Sequence, residues 1–448
     1  MSKLFGTDGV RGIVNKDLTC ELALKIGASV ARTLKEETKR DKLTFLIGSD
    51  TRISKDMFTL AVSAGVLSEG CSILNVGVLP TPAISYLTKK YKMDGAFIIS
   101  ASHNPSEYNG IKVLDKNGIK LSEDLERKCE DIILNNFILN SNVNECGKFT
   151  SNENALDDYL DYLVNTIDND ISNIKILVDT ANGAASLSAT KLFQRLNANF
   201  DVINNSPDGL NINKDAGSTH VDILKEKVIS EKYDIGIAYD GDADRCILID
   251  ELGNEIDGDY ILAIAGLELK RNNKLTNNTI VGTIMSNLGF IKFCEENDIN
   301  FVSTAVGDKY VLEEMIKSNF ILGGEQSGHI IFKELANTGD GELTSLQILN
   351  IMSKCKKKLS ELSSVMKKYP QVLINANVSK DGKDVYKQRQ DIHEFISTYE
   401  QRMHGDGRIV VRPSGTENYI RVMIEGKNIK EITNMCKEIV NYIEKELN

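Results

Sequence analysis

Ala96-Phe-Ile-Ile-Ser-Ala-Ser-His-Asn-Pro105 is an apolar run that ends abruptly in small polar residues and a proline. This pattern predicts a buried strand that ends at the edge of a sheet. Ser102 would then lie where a ligand can reach it, with His103 and Lys112 close by in sequence. The alternative is a plain turn, because Ser, Asn and Pro form turns without any chemistry. Loops at strand ends are favoured places for function, so this segment alone leaves both interpretations open.

Strand and helix patterns alternate on both sides of this segment. Helical patterns at residues 21–35 and 55–69 alternate with strand patterns at 45–47 and 72–76. The same order of strand, small-residue turn and helix returns in two later regions, at separations of about a hundred residues. These regions begin near residues 176 and 280. We therefore expect three similar α/β domains with mixed, largely parallel sheets.

The residues after Pro370 follow a different order, with strands that would pair between two helices. The patterns are a strand at 373–378, a helix at 386–403, strands at 408–411 and 419–424, and a helix at 429–447. This order predicts a smaller C-terminal α+β domain. The predicted domains, arranged around a central cleft, are residues 1–152, 153–252, 253–368 and 369–448.

Length and composition indicate an ordinary multidomain globular protein. The 448 residues exceed what one core holds, and 41% hydrophobic with 26% charged residues leaves enough apolar surface to bury. The net charge of −11 argues against a general nucleic-acid partner. The eight cysteines include no C-x-x-C pair, which is typical of buried thiols in a reducing compartment. Since no run reaches about 18 apolar residues, we expect a cytoplasmic protein without a membrane partner.

A cluster of carboxylates lies between two strand-like runs, at Asp240, Asp242 and Asp244. Three carboxylates this close raise each other's pKa unless a cation neutralises them, and hard oxygen ligands select Mg²⁺ or Ca²⁺. An EF-hand loop is excluded because Arg245 stands where that loop needs glycine and because the flanks read as strands. A solvated acidic turn is the other alternative, but Arg245 and the apolar flanks favour an organised metal site.

Two further loops carry polar residues between glycines. In Gly323-Gly-Glu-Gln-Ser-Gly-His329, Glu325 and Ser327 could bind adjacent hydroxyls, although a glycine-rich loop is also a common structural turn. His329 could be a satisfied core histidine or an acid/base that titrates near neutrality. The second loop offers guanidinium groups, hydroxyls and backbone N–H groups, which favours a phosphate site over a plain hairpin. Its candidate residues are Arg412, Ser414, Gly415, Thr416 and Arg421.

Together these loops describe a sugar phosphate held in a cleft between domains while a phosphoryl group moves. The chain resembles the α-D-phosphohexomutase superfamily along its whole length. The motifs are Phe5-Gly-Thr-Asp-Gly-Val-Arg-Gly12, Ile99-Ser-Ala-Ser-His-Asn-Pro105, Asp240-Gly-Asp-Ala-Asp-Arg245, Gly324-Glu-Gln-Ser-Gly-His329 and Arg412-Pro-Ser-Gly-Thr-Glu417. The Glu325 loop and Asp208-Gly-Leu-Asn-Ile-Asn213 resemble the branch that acts on glucosamine phosphates. The chain departs from the family pattern at Asn418, usually Pro, and at Lys309, commonly Arg.

The resemblance implies an isomerase in which Ser102 carries a phosphate that joins Asp240, Asp242 and Asp244 around one Mg²⁺. It implies that Glu325 and Ser327 bind sugar hydroxyls, and that the Arg412 loop and Arg421 hold the phosphate that is not being transferred. The candidates for proton transfer and charge balance near the reacting oxygen are Arg11, Lys112 and His329. Arg245 would join Mg²⁺ and Lys112 in neutralising charge on the phosphoryl oxygens. His103 belongs to the candidate catalytic set, but not as a base for Ser102, since neighbours in an extended segment point to opposite faces.

The implied reaction interconverts glucosamine 6-phosphate and glucosamine 1-phosphate through a hexosamine 1,6-bisphosphate. Closure of the C-terminal domain would trap this intermediate and exclude water. The resemblance implies small-molecule sugar phosphates as partners and allows a homodimer. The alternatives are a phosphomannomutase or phosphoglucomutase with the same mechanism, a phosphatase, and a sugar-phosphate sensor without turnover.

Overall fold

The computed structural model describes residues 4–6, 8–135, 137–139, 146–403, 405–414 and 418–448. Within these ranges, four β-sheets follow one another, with six, five, four and three strands. The first three are mixed sheets flanked by helices, and the last is antiparallel. The predicted fold class is therefore confirmed. Within the described ranges, no helix is both long and apolar enough to cross a membrane.

The first sheet contains the strand that leads into the Ser102 loop. Its strands are β1 (Val10–Ile13), β2 (Thr44–Ser49), β3 (Ser72–Val78), β4 (Gly95–Ile99), β5 (Tyr108–Asp115) and β6 (Phe149–Ser151). Its helices are α1 (Cys20–Thr38), α2 (Lys55–Ser68), α3 (Thr81–Lys90) and α4 (Glu123–Leu134). The strand order is β1-β5-β4-β2-β3-β6, and β4 is buried along its length, as the apolar run predicted. Because β4 is parallel to β2, the loops after both strands meet at one edge of the sheet.

The second sheet contains the hairpin of two strands whose turn carries the three aspartates. Its elements are α5 (Ala155–Val164), β7 (Lys175–Asp179), α6 (Ala185–Arg195), β8 (Asn199–Ile203), α7 (Asp222–Ser230), β9 (Ile235–Tyr239), β10 (Cys246–Asp250) and β11 (Glu255–Ile256). Strands β7, β8 and β9 are parallel, whereas β9 and β10 are antiparallel. Strand β11 pairs with β10, so this sheet reaches Ile256. The predicted domain limits stay predictions.

The third sheet has the order β13-β12-β14-β15 and presents the Glu325 loop between its last two strands. Its elements are α8 (Gly258–Arg271), β12 (Thr279–Thr283), α9 (Leu288–Glu296), β13 (Asn300–Thr304), α10 (Asp308–Lys317), β14 (Leu322–Gly324), β15 (Ile330–Phe332), α11 (Gly341–Cys355) and α12 (Leu359–Ser363). Helix α11 ends at the lysine run, where Lys356 takes a left-handed conformation that satisfies the last turn.

The C-terminal domain places a three-stranded sheet between helices. Its elements are β16 (Gln371–Asn377), α13 (Lys380–Val385), α14 (Gln390–Arg402), β17 (Gly407–Pro413), β18 (Tyr419–Gly426) and α15 (Ile429–Leu447). The helix expected from residue 386 begins only at 390, after a 3₁₀ turn. The short helix α13 was not expected, because its sequence is polar and is stabilised by a Ser379 side-chain cap rather than an apolar face.

The apolar cores divide the molecule unequally. One buried cluster continues through the first three domains, from Leu46 to Met366, and includes residues of all three sheets. The C-terminal domain buries a separate cluster, formed where α14 and α15 pack on its sheet. The first three domains therefore form one packed body, to which the fourth is attached by other contacts.

Candidate active site

Ser102 lies three residues after the end of β4, in a left-handed backbone conformation with φ of 50°. Its side chain is buried, and its Oγ donates a hydrogen bond to Asp240 Oδ2 at 2.6 Å. The expectation that Ser102 and His103 point to opposite faces is wrong, because the segment turns here instead of remaining extended. His103 Nδ1 lies 3.4 Å from Ser102 Oγ. Burial, together with the charges of Arg245 and Arg11, lowers the pKa of His103 to about 4, so its ring is neutral near pH 7.

The three aspartates converge in the turn between β9 and β10. One carboxylate oxygen of each lies within 4.8 Å of the others, and all three side chains are buried. Asp242 Oδ1 and Asp244 Oδ1 have no hydrogen-bond partner among the described residues. Burial and the other two carboxylates raise the pKa of Asp240 well above its ordinary value. The two oxygens without a donor are buried beside other carboxylates, which suits a divalent cation. The three aspartates could therefore hold one.

Lys112 supplies the nearest positive charge to this trio. It projects from β5, is 1% exposed, and its Nζ lies 2.8 Å from Asp242 Oδ2 and 3.4 Å from Asp244 Oδ2. Burial opposes the charged amine, but Asp242, Asp8 and Asp244 outweigh it and hold the pKa of Lys112 well above its ordinary value. The amine is therefore a fixed cation rather than a base.

Arg11 and Arg245 flank the serine loop and the aspartate turn. Arg11 donates from Nη1 to Asn104 Oδ1 at 3.2 Å and from Nη2 to Asp8. The backbone N–H of Arg245 donates to Asp240 Oδ1 at 3.2 Å. The Nε groups of both arginines are buried without a hydrogen-bond partner in the described part of the chain. Guanidinium N–H groups without a partner, beside the serine loop, can donate hydrogen bonds to an anion.

His329 lies behind the aspartates, against Asp244. Its Nε2 accepts a hydrogen bond from the backbone N–H of Gly339 at 2.9 Å. Its Nδ1 lies 3.7 Å from Asp244 Oδ2. The buried ring thus lies between Asp244 and Gly339, with Asp308 Oδ2 3.7 Å from its Nε2, and its part in proton transfer stays a prediction.

The glycine-rich loop places Glu325 and Ser327 near Arg245 of the aspartate turn. Glu325 follows β14, and its Oε1 accepts the backbone N–H of Gly307 at 3.1 Å. Ser327 is exposed, in a tight turn that Gly328 closes with φ of 92°. Arg245 and Ser327 line one open pocket of about 700 Å³. The loop can therefore reach a ligand that also touches the arginine of the aspartate turn.

Arg412 and Arg421 lie directly opposite each other on β17 and β18. Burial and the charge of Arg421 lower the pKa of Arg412, with the carboxylate of Glu325 acting in the opposite direction. Ser414 is buried next to them, and its N–H donates to Tyr419 O at 2.9 Å. Two adjacent guanidinium groups repel each other, and a phosphate dianion would relieve that repulsion. Gly415 and Thr416 lie outside the described residues.

Direct contacts thus join Ser102, the three aspartates, Lys112, Arg245 and His329, and Arg11 reaches Lys112 through Asp8. The structure adds residues that sequence reasoning missed. Thr81 Oγ1 donates to Asp242 Oδ2 at 2.7 Å, and Asp8 pairs with Lys112 and Lys120. Asp8 could have been suspected from its place between glycines, whereas nothing in the sequence near Thr81 indicates a contact 161 residues away.

Family comparisons cover nearly all of the chain. Residues 2–137, 157–253 and 257–369 match alpha/beta/alpha domains I, II and III of the phosphoglucomutase/phosphomannomutase family. Residues 373–442 match the C-terminal domain of that family. A phosphoglucosamine mutase of Clostridium botulinum (strain Loch Maree / Type A3) is 49% identical over 452 residues, and the match covers 100% of both chains.

Solved structures with low sequence identity share the fold. A phosphoglucomutase/phosphomannomutase family protein from Burkholderia thailandensis superposes with a TM-score of 0.82 at 20% identity, covering 100% of this chain and 99% of that one. The N-acetylphosphoglucosamine mutase of Aspergillus fumigatus, in complex with GlcNAc-6P and magnesium, gives a TM-score of 0.72 at 16% identity and covers 99% and 96%. From its four matched domains and its full-length relative, the chain belongs to the phosphoglucomutase/phosphomannomutase family of the α-D-phosphohexomutases.

Proposed function

We propose that this protein is a phosphoglucosamine mutase that interconverts glucosamine 6-phosphate and glucosamine 1-phosphate through a phosphorylated Ser102. The observation that carries the proposal is the 2.6 Å hydrogen bond from Ser102 Oγ to Asp240, inside a cluster of buried carboxylates. A serine hydroxyl held in this way is placed to carry a phosphate whose oxygens extend toward the cation site. The full-length relative from Clostridium botulinum supports the choice of glucosamine phosphate.

Asp240, Asp242 and Asp244 would hold one Mg²⁺, together with the phosphate on Ser102. Oxygen ligands and coordination positions left open for phosphate suit this ion. When bound, Mg²⁺ supplies positive charge that offsets the charge on the phosphoryl oxygens. The related mutase from Aspergillus fumigatus, solved with magnesium, supports the choice of metal.

Phosphoryl transfer asks the protein mainly for position and charge. The bond between phosphorus and Ser102 Oγ breaks as a bond to a free sugar hydroxyl forms, which gives a hexosamine 1,6-bisphosphate. The sugar hydroxyl loses its proton in this step, and Ser102 Oγ gains one. The protonated Lys112, with Arg11 and Arg245, would neutralise charge on the phosphoryl oxygens. His103 is neutral, and its Nδ1 lies 3.4 Å from Ser102 Oγ, so it can take the hydroxyl proton when Ser102 receives the phosphate back. The bisphosphate then reverses in the cleft and returns its other phosphate to Ser102.

The remaining loops would hold the part of the substrate that does not react. Arg412, Ser414 and Arg421, with Gly415 and Thr416, would bind the second phosphate, while Glu325 and Ser327 would bind sugar hydroxyls. One phosphate site and one hydroxyl site must accept the substrate in both of its orientations. The C-terminal domain has its own core, so it can move as a unit and close over the intermediate.

We also propose that the protein works in the cytoplasm on small sugar phosphates, without a nucleic-acid or membrane partner. The net charge of −11 supports the first exclusion, since a general nucleic-acid binder needs a basic surface. A homodimer is compatible with this proposal.

A substrate panel with Mg²⁺ and a trace of hexose 1,6-bisphosphate tests the proposed function. We expect kcat/KM for glucosamine phosphate to exceed the values for glucose and mannose phosphates by about tenfold or more, the discrimination that a few hydroxyl or amine contacts give. Higher values for glucose or mannose phosphate would favour a phosphoglucomutase or phosphomannomutase. Free phosphate released in step with substrate loss would indicate a phosphatase, and binding without turnover would indicate a sensor.

A further inference from the structure

Arg52, in the loop that follows β2, is completely buried beneath the Ser102 loop. Its guanidinium donates hydrogen bonds to four backbone carbonyls of the segment that contains Ser102. The acceptors are Ser102 O at 3.0 Å, Asn104 O at 2.7 Å, Tyr108 O at 3.0 Å and Pro105 O. Every one of these carbonyls must point inward at the same guanidinium, which fixes the path of the loop.

Asp50 holds this arginine from the other side. Its Oδ2 accepts Arg52 Nε at 2.9 Å, and its Oδ1 accepts the backbone N–H of Arg52 at 3.0 Å. Asp50 Oδ2 also accepts the hydroxyl of Ser100 at 2.6 Å, and that hydroxyl accepts the N–H of Ser102 at 3.0 Å. A continuous buried chain of hydrogen bonds therefore joins the ion pair to the backbone of Ser102.

Asn213 reaches the same loop from the second domain. Its Nδ2 donates to Ser102 O at 2.9 Å and to Asn104 O at 3.1 Å, two of the carbonyls that Arg52 also holds. Asn213 closes the Asp208–Asn213 motif, and the close packing continues at Gly241, where an added Cβ would lie 2.6 Å from Ser102 O. The serine loop is thus held between two domains.

We propose that Arg52 is a positioning residue for the phosphoserine reaction, which keeps Ser102 in its left-handed conformation and so aims Oγ at Asp240. A residue with a Cβ is disfavoured at φ of 50°, so surrounding contacts must maintain this conformation. Asp50 orients Arg52, and Asn213 makes a second, weaker clamp on the same carbonyls. Lysine cannot replace the arginine here, because one ammonium group cannot span four separated carbonyls.

This inference rests on the proposed function, and the Arg52→Lys variant tests it in the full-length protein. Lysine keeps the charge beside Asp50 and loses the planar fork. We expect kcat to fall by roughly 100-fold, the effect of a small misplacement of a reacting atom. KM should stay within about threefold, because the loops that bind the sugar and the second phosphate are untouched. Arg32→Lys is the matched control, since Arg32 pairs with Glu69 at 2.6 Å in the same domain, away from the loop.

Three results would overturn the inference. A folded Arg52→Lys protein, judged by Tm against wild type, with kcat within about threefold of normal would show that the fork is not needed. A rise in KM as large as the fall in kcat would indicate general disruption of the site. If kcat fell as much in the Arg32→Lys control as in Arg52→Lys, the loss would not depend on the contacts of Arg52 with the Ser102 loop.

If Arg52→Lys does not fold, Asn213→Gly tests whether contacts on the Ser102 loop position Ser102 for the reaction. Asn213 itself has φ of 58°, which glycine adopts without strain, so this change removes only the amide clamp. We expect kcat to fall by about tenfold with little change in KM; an unchanged kcat would overturn the inference. Wild-type protein without turnover on any hexose phosphate would instead refute the proposed function, so the two failures are distinguishable.

Discussion

Ser102→Ala removes the hydroxyl that donates to Asp240 without changing the backbone preference, because alanine and serine both carry a Cβ. We expect turnover to fall by roughly 10⁴-fold or more, the scale seen when a nucleophile is deleted, while Tm stays close to the wild-type value. Rates and melting curves on the same preparations would measure both. Ser106→Ala, in the same loop, is the control and should retain activity. Near-normal turnover of Ser102→Ala would remove Ser102 from the reaction.

Arg421→Ala should act on substrate capture more than on chemistry. The lost guanidinium lies on β18, opposite Arg412 and beside the loop that would hold the phosphate not being transferred. A charge-assisted bond to phosphate contributes about 1.5–3 kcal/mol, so we expect KM to rise by roughly 10- to 100-fold with a smaller change in kcat. Steady-state kinetics across substrate concentrations would check this. Arg402→Ala, on α14, should leave KM unchanged. An unchanged KM in both variants would exclude Arg421 from the proposed phosphate site.

Residue types proved more predictable than residue partners. The aspartates, Ser102 and Arg245 could be selected from the sequence, because hard ligands, hydroxyls and guanidinium groups cluster visibly in short motifs. The partners Thr81 and Arg52 could not, since Thr81 meets Asp242 across 161 residues and Arg52 meets Ser102 across 50. Local pattern carries no information about which distant loops a fold brings together. The left-handed turn at Ser102 was missed for the same reason, because its cause is this tertiary clamp.

Among the secondary-structure elements, those with strong apolar periodicity were predicted best. Helix α15, at Ile429–Leu447, has the limits expected from its amphipathic pattern, and β4 is buried as its apolar run indicated. The edge strand β6, at Phe149–Ser151, was not predicted, because it is three residues long and exposed throughout. Such strands are defined by pairing with a neighbour, here β3, rather than by their own composition.

The junction of β18 and α9 attaches the C-terminal domain to the rest of the protein. Glu425 is completely buried, and its carboxylate accepts Asn287 Nδ2 at 2.9 Å, the N–H of Leu288 at 2.9 Å and Arg408 Nε at 2.6 Å. The carboxylate therefore sits at the positive N-terminus of α9. The contacts of Glu425 with Asn287 and Leu288 therefore join the fourth domain to the third, whereas the apolar core of the fourth domain is separate.

Glu425→Gln should weaken this attachment. The substitution removes the negative charge that three donors share, and we expect a loss of about 2–3 kcal/mol of unfolding free energy. Urea unfolding of the full chain would measure it. Lys427→Ala is a control, since Lys427 forms an exposed pair with Asp406 at 2.8 Å, and should change stability by about 0.5 kcal/mol or less. Equal effects of the two variants would contradict the role of Glu425.

The interior that joins the second and third domains contains a carboxyl group that folding keeps protonated. Glu342 accepts Ser188 Oγ at 2.6 Å, and its Oε2 has no partner among the described residues. Burial, with the nearby charge of Asp340, raises the pKa of Glu342 from 4.5 to about 8. Between these two values the folded protein holds a proton that the unfolded chain releases, so stability falls as the pH rises through this range.

Glu342→Gln should flatten this dependence. The amide cannot ionise, so the variant should gain stability relative to wild type as the pH rises, by up to about 1.4 kcal/mol for each pH unit. Tm measured for both proteins from about pH 5 to pH 8 would test this. Glu334→Gln, at an exposed carboxylate on the same domain, should leave the curve unchanged. Parallel curves for wild type and Glu342→Gln would contradict the assignment.

We propose that the four domains bring the Ser102 loop, the three aspartates, the Glu325 loop and the Arg412–Arg421 pair to one cleft, as a reaction with two successive transfers requires. The most direct test is to charge the protein with a labelled phosphoryl group from hexose 1,6-bisphosphate, map the label by peptide mass, and then add glucosamine 6-phosphate. We predict one phosphate on Ser102 that passes to the sugar within a single turnover. Label on another residue, or full turnover with Ser102 unmodified, would contradict the account.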